Sequence, residues 1–133
     1  MKILFLTLLL TLFFGGVTII EAKTQKVVKV QINQQKKVIG TKFTVKFLEM
    51  VEDSRCPSDT NCIWAGNAKI KIRVTKSGKT AKIFELNTNL ADKTVVFEGH
   101  EFKLTALTPA PRSNIRINRN GYTATLTVTK TAT

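Results

Sequence analysis

The sequence predicts an all-β domain, an antiparallel β-sandwich, and three observations carry that expectation. Apolar and polar residues alternate with period two along most of the chain after residue 22, which is the pattern of half-buried strands. Turn-forming residues fall between these runs, and no stretch beyond the amino-terminal segment sustains a helical period for three turns. Seven or eight short strands must bury their apolar faces between two sheets or inside one closed sheet. An immunoglobulin-like topology is the expected arrangement and a small β-barrel the second choice. The Cys…Trp…Cys spacing of true immunoglobulin domains is absent, so that label describes architecture only.

The amino terminus reads as a targeting segment. Lys2 gives a short positive region, and Ile3 to Ile20 carries no charge. Gly15 and Gly16 follow the Leu- and Phe-rich stretch, and the chain turns polar at Glu21-Ala22-Lys23. That order is the order of a secretory signal peptide, with cleavage expected after Ala22. A retained membrane anchor is the alternative, since the uncharged run is near the lower limit for spanning. Residues 1–22 are therefore assigned to the signal peptide and 23–133 to one β-domain, as a chain of 133 residues has room for one. The expected location is secreted, periplasmic or in the cell envelope.

The strands follow in order. Val28 to Ile32 is the first candidate. Phe43, Val45 and Phe47 alternate with Thr44 and Lys46, and the pattern breaks at Leu48, Met50 and Val51 as a bulge would break it. Ala68, Ile70, Ile72 and Val74 alternate with Lys69, Lys71, Arg73 and Thr75. Shorter runs cover Ile83 to Leu86, Val95 to Phe97 and Phe102 to Leu107, with a short eighth at Ile115 to Ile117. The last strand alternates Tyr122, Ala124, Leu126 and Val128 with four threonines. Ser77-Gly78-Lys79 and Glu98-Gly99-His100-Glu101 read as hairpin turns, and Asn120-Gly121 is the strongest short hairpin signal. Segment 87–93 has room for a single helical turn.

Cys56 and Cys62 are the two cysteines of the chain. An even count in an exported chain reads as a disulfide. The interior Pro57-Ser58-Asp59-Thr60-Asn61 suits a surface loop. Closing so small a ring contributes about 2 kcal/mol, enough to stiffen a loop. Five intervening residues fit a thiol redox pair poorly. A metal site needs about four ligands, and His100 is the one imidazole of the chain.

The run from Val51 to Ala68 holds the single Trp, both cysteines and several acidic residues. In one account Trp64 caps the open end of the sandwich, Gly66 lets the backbone turn into the next strand, Asp53 and Ser54 hydrogen-bond loop amides, and Arg55 pairs with Glu52 or Asp59. In the other, the loop is a presented binding surface, because Trp and Arg are typical interface anchors. The structural account is favoured, with binding as its addition.

The segments Ser54-Arg55-Cys56-Pro57 and Cys62-Ile63-Trp64-Ala65-Gly66-Asn67-Ala68 resemble a signature of small exported bacterial proteins and lipoproteins of uncharacterised activity. The tail Leu107-Thr108-Pro109-Ala110-Pro111, followed by Tyr122-Thr123-Ala124, resembles the end of that family, where a Pro-rich loop precedes the last strand. The resemblance implies export and a single β-rich domain, and no catalytic residue. The chain departs from the lipoprotein members in lacking a lipid-bearing cysteine near the cleavage region.

Enzyme chemistry finds little to stand on. Ser77-Gly78-Lys79-Thr80 matches only the end of a phosphate-binding loop, because Arg73 occupies the required first Gly and strand rather than helix follows. A hydrolase would need His100 beside a carboxylate and a nucleophile, and Glu52 with Asp53 are adjacent residues that should point apart. No enzyme, cofactor or metal is expected.

Net charge is +12, which favours anionic partners at range. Lys69, Lys71 and Arg73 should stripe one strand face, and Arg112, Arg116 and Arg119 cluster before the last strand. Stacking platforms for single-stranded nucleic acid interleave aromatics with charge, and that interleaving is missing. The expected function is a non-catalytic secreted or envelope β-domain that binds a protein or an anionic surface polymer through residues drawn from Arg55, Trp64 and these six basic positions. A small secreted inhibitor or effector presenting the bridged 52–67 loop is the alternative. Peripheral membrane contact is left open, sequence-specific nucleic-acid binding is not expected, and the chain is expected to be a monomer.

Overall fold

A computed structural model describes residues 15–131. The expectation of a signal peptide falls mostly on residues 1–14, outside the described residues. Residues 15–24 are irregular and exposed. Among the described residues no helix is long and apolar enough to cross a membrane.

Among the described residues eight strands form two four-stranded antiparallel sheets. They are β1 (Gln25–Gln31), β2 (Gln35–Lys37), β3 (Phe43–Asp53), β4 (Ala68–Lys76), β5 (Lys82–Asn87), β6 (Thr94–Phe97), β7 (His100–Thr108) and β8 (Thr123–Lys130). One sheet has the order β1-β8-β7-β6 and the other β2-β3-β4-β5. The period-two pattern explains the layering. Val28 and Val30 of β1, Phe43, Val45 and Phe47 of β3, and Ile70, Ile72 and Val74 of β4 all face inward. They meet Phe102, Leu104, Ala124, Leu126 and Val128 in one core. Among the described residues every buried core residue lies between Val28 and Val128.

Two all-β sheets packed on one core meet the sandwich expectation. The strands follow chain order around both sheets, without the Greek-key connections of an immunoglobulin-like sandwich. No ladder joins β1 to β2 or β5 to β6, so the sheets do not close into a barrel. At the β1–β2 crossing Ile32 donates to the Tyr122 carbonyl and Asn33, with φ of 67°, donates to the Phe47 carbonyl. The chain thereby leaves one sheet and enters the other.

Several local expectations change. Segment 87–93 holds no helical turn: Asn87 ends β5 and the residues after it form bends, because Asn87 and its neighbours hydrogen-bond to the β4 entrance instead. Ile115 to Ile117 is no strand, and only an isolated bridge joins Arg112 to Ile115. Asn120-Gly121 is not the turn of a two-residue hairpin. It ends a long loop between β7 and β8, where Gly121 donates to the Asn118 carbonyl. The two other expected hairpins are present, at Ser77-Gly78 between β4 and β5 and at Glu98-Gly99 between β6 and β7; Glu98 and Gly99 have φ of 48° and 72°, the positive pair that a type I′ turn requires. The pattern break in β3 is real, with register shifts between Phe47 and Glu49 and between Met50 and Glu52.

The sandwich has two unlike ends. Turns 38–42, 77–81 and 98–99 occupy the end where β1 begins. The long loops 54–67, 88–93 and 109–122 gather at the opposite end.

Candidate functional site: tied loops at one end

Beyond the second bulge, β3 delivers Asp53 to the loop end, opposite the start of β4. The Asp53 carboxylate accepts two parallel bonds from Arg55, from Nε and Nη2, both at 2.8 Å. Such fork-to-fork pairs are among the strongest charge-assisted hydrogen bonds. The remaining Arg55 donors reach the other sheet: Nη1 donates to the Leu107 carbonyl at 2.7 Å and Nη2 also to that of Pro109 at 2.9 Å. The Thr108–Pro109 peptide between these carbonyls is cis. The Tyr122 hydroxyl donates to Asp53 Oδ2 at 3.0 Å. Arg55 therefore pairs with Asp53, not with Glu52 or Asp59, because the bulged end of β3 brings Asp53 within reach. With only 11% of its side chain exposed, Arg55 braces the loops and offers little surface to a partner.

Burial acts to raise the Asp53 pKa, but the hydrogen bonds and charge of Arg55, with the Tyr122 hydroxyl, outweigh it and hold the carboxyl below its usual value. Burial, and then the hydrogen bond and charge of Asp53, push the Tyr122 hydroxyl upward. Both shifts favour the ionised Asp53 and the neutral Tyr122 that the geometry needs.

A second network holds the entrance of β4. Asn67 is buried, and its Oδ1 accepts the backbone N–H groups of Asn89 at 3.0 Å and Leu90 at 3.3 Å. Its Nδ2 donates to Asn87 Oδ1 at 2.9 Å, and Asn89 Nδ2 donates to the Gly66 carbonyl at 2.6 Å. One amide side chain thus satisfies polar groups of the 88–93 loop that would otherwise be orphaned. Gly66 has φ of 71°, and a Cβ there would overlap the Ser54 carbonyl and lie 2.8 Å from the Arg55 Cα. The expected turn at Gly66 is present, and the close packing of two backbones explains the residue.

Cys56 and Cys62 are bridged, with Cα atoms 5.9 Å apart. Across the base of the loop Ser54 N–H donates to the Asn67 carbonyl at 2.7 Å and Cys56 N–H to that of Ala65 at 2.8 Å. The ring is tied sideways as well. Ser58 N–H donates to the Pro111 carbonyl, and Asp59 accepts from the Ser113 N–H at 3.0 Å and its hydroxyl at 2.6 Å. Those two Ser113 bonds lower the Asp59 pKa.

On this fixed frame Ile63 is wholly exposed and Trp64 is 56% exposed. Trp64 therefore does not cap the sandwich; Tyr122 and the Asp53–Arg55 pair fill that place. Leu90 and Ile115, on the two neighbouring loops, are also exposed. Arg112, Arg116 and Arg119 are exposed in the 109–122 loop at the same end. Lys69, Lys71 and Arg73 lie elsewhere, on the outer face of β4. Register places Lys71 between Glu49 and Glu85, and Lys69 opposite Glu52. Lys71 pairs with Glu49 at 3.3 Å. The stripe is thus largely neutralised by neighbouring strands, and only Arg73 stands beside another cation, Lys46.

His100 stacks edge-on against Phe43, with ring centroids 4.7 Å apart, and its Nδ1 contacts the Glu98 carbonyl. Among the described residues no group of three or more His, Cys, Asp or Glu side chains could hold a metal. Sequence reasoning missed Asn67, Tyr122 and Ser113 as organisers of the loops. The only signal was their position beside turns. Comparison with protein-family models, curated proteins and solved structures returned no match.

Proposed function

We propose that the chain is a non-catalytic, exported β-domain that binds a protein through its loop end. The observation that carries this is the exposure of Ile63 and Trp64 on a backbone fixed by a disulfide and by bonds to two other loops. Loops on a rigid sheet scaffold are a common place for binding. A pre-ordered loop loses less entropy on docking, and Trp is enriched among residues that dominate binding energy. Leu90 and Ile115 extend the apolar surface, while Arg112, Arg116 and Arg119 supply its charge. Membership of the exported SRCP/WAG-bearing family belongs to the same proposal. Its support is that Arg55, Gly66 and Asn67, all within the resembling segments, are the residues that hold the loop in place.

Trp64→Ala and Ile63→Ser test the proposal, since neither side chain belongs to the core. Proteins retained by the immobilised chain from extracellular or envelope fractions are expected to be lost with either variant, at unchanged melting temperature. The single Trp also reports directly, with a blue shift of its emission when a purified partner covers it. Capture identical to that of the unaltered chain would overturn the proposal.

A second reading, a small secreted inhibitor or effector, draws on the full exposure of Ile63 next to Cys62. An apolar side chain held out beside a bridge has the form of a ligand for a specificity pocket. Inhibition of an exopolymer- or peptide-cleaving enzyme that is abolished by Ile63→Asp would favour it. The anionic-polymer expectation has weaker support, because Lys69 and Lys71 face carboxylates.

A further inference from the structure

The end opposite the bridged loop carries a surface feature that protein binding through Trp64 does not use. Lys37, Lys42, Thr44, Thr75 and Ser77 line an open groove of about 400 Å³. Lys37, Thr44 and Thr75 form one rung of the outer sheet face across β2, β3 and β4. The next rung adds Lys46 and Arg73. The Ser77 N–H donates to the Lys42 carbonyl at 2.9 Å, locking the two turns together. Ammonium and hydroxyl donors therefore converge with no carboxylate among them. The carboxylates of the face, Glu49, Glu52 and Glu85, begin one rung farther along. At the rim, Glu98 lies 3.9 Å from Lys76, and Glu101 is on the other sheet, opposite Thr129.

Between the two groove lysines the chain makes the turn 38–42. Val38 is buried, but Ile39 is 83% exposed. Thr41 fixes this turn by donating to the Val38 carbonyl through both N–H and Oγ1. Lys26 of β1 brings another ammonium to Gly40. An exposed apolar turn tip between the two lysines that line the groove, with Lys26 beside Gly40, matches the chemistry of an anionic bilayer surface. At such a surface an exposed apolar side chain can enter the interface while lysines meet phosphate. A linear polyanion would leave Ile39 without a role.

We propose that this end is a docking surface for an anionic lipid bilayer, with the groove taking a headgroup phosphate. It is independent of the protein-binding proposal, since the two use opposite ends of the sandwich. The test uses residues 23–133, which carry all eight strands described, in co-sedimentation with mixed phosphatidylglycerol–phosphatidylcholine vesicles and with phosphatidylcholine vesicles alone. Binding is expected only to the mixed vesicles. Lys37→Ala/Lys42→Ala is expected to weaken it about 25-fold, a factor of about five per lysine. Lys69→Ala/Lys71→Ala removes the same charge and should change it far less. Ile39→Asp should also weaken binding, and Trp64→Ala should not. Equal losses from the two lysine pairs would overturn the proposal in favour of diffuse attraction. Equal binding to both vesicle types, or no binding to either, would also overturn it. So would polyphosphate in solution binding as tightly as the vesicles with the same dependence on Lys37 and Lys42. Unchanged melting temperatures show that each variant is folded.

Discussion

The hydroxyl of Tyr122, one residue before β8, donates to Oδ2 of Asp53, the last residue of β3, at 3.0 Å. This bond joins the two sheets at the loop end and leaves Arg55 to complete the carboxylate's coordination. Because Arg55 also reaches the Leu107 and Pro109 carbonyls, a single ion pair positions both the bridged loop and the Pro-rich loop.

Removal of Arg55 therefore has two effects. Arg55→Ala leaves a half-buried carboxylate without its partner and two carbonyls without donors, and is expected to cost about 2–3 kcal/mol. Asp53→Asn keeps the shape and should cost less. A double-mutant cycle by urea unfolding should give a clear coupling energy between the positions. Additive losses would show that the pair does not act as a unit.

Acid should destabilise the fold. The Asp53 carboxyl lies below its ordinary value of 3.8 in the folded chain. Its contribution is therefore present above that value and is lost as pH falls through the folded value. Tyr122 acts at the other extreme. Its hydroxyl lies above 10.0, so its contribution is present below pH 10.0 and fades as pH rises through the folded value. Unfolding free energy measured across pH should decline at both limits, and Asp53→Asn should flatten the acid side except for the part due to Asp59. A wild-type profile level through the acid range would contradict this assignment.

Two glycines with similar backbone angles should respond differently. Gly66 has φ of 71° with Ser54 and Arg55 packed against it, whereas Gly78 has φ of 76° and open space around it. Gly78→Ala is expected to cost about 1 kcal/mol, the strain of a left-handed non-glycine residue. Gly66→Ala adds a backbone overlap and should cost more than about 3 kcal/mol. Thermal unfolding of the two variants side by side gives the comparison, and equal losses would mean that the loop base yields easily.

Breaking the Cys56–Cys62 bridge should loosen only the ring. Cys56→Ser/Cys62→Ser is expected to lower stability by about 2 kcal/mol. Amide exchange should rise across 57–64 while β3, β4 and β8 stay protected, because the bonds at Ser54, Cys56 and Asp59 hold the loop base independently. Global loss of protection would show that the bridge supports the fold as a whole.

The strands were legible because burial on one face writes a period-two pattern into each of them, as in Ala68 to Val74 and Tyr122 to Val128. The bulges in β3 were also visible, as a break in that alternation at Leu48. Strand order was not, because a side chain's facing says nothing about which neighbour lies beside it. The candidate site was legible only in part. The bridge, Gly66 and the unusual density of residues near Trp64 stood out, yet the choice of Asp53 over Glu52 and Asp59 as the partner of Arg55 depends on where two bulges aim the end of β3. Lys69 and Lys71 misled for a related reason. Their carboxylate neighbours, Glu52 opposite Lys69 and Glu49 and Glu85 on either side of Lys71, are distant in sequence and become adjacent only through sheet register. The groove at Lys37 and Lys42 is likewise assembled from three strands and leaves no local motif.

The pairing of Gln25 with Thr129 sets the first and last strands of the domain edge to edge, although their connection through the chain is the longest of all. A short peptide could splice Lys130 to Gln25 across that edge, with fresh termini cut at the exposed Ser77–Gly78 turn. Such a circular permutant would keep all eight strands and their partners, so the architecture does not depend on where synthesis happens to start.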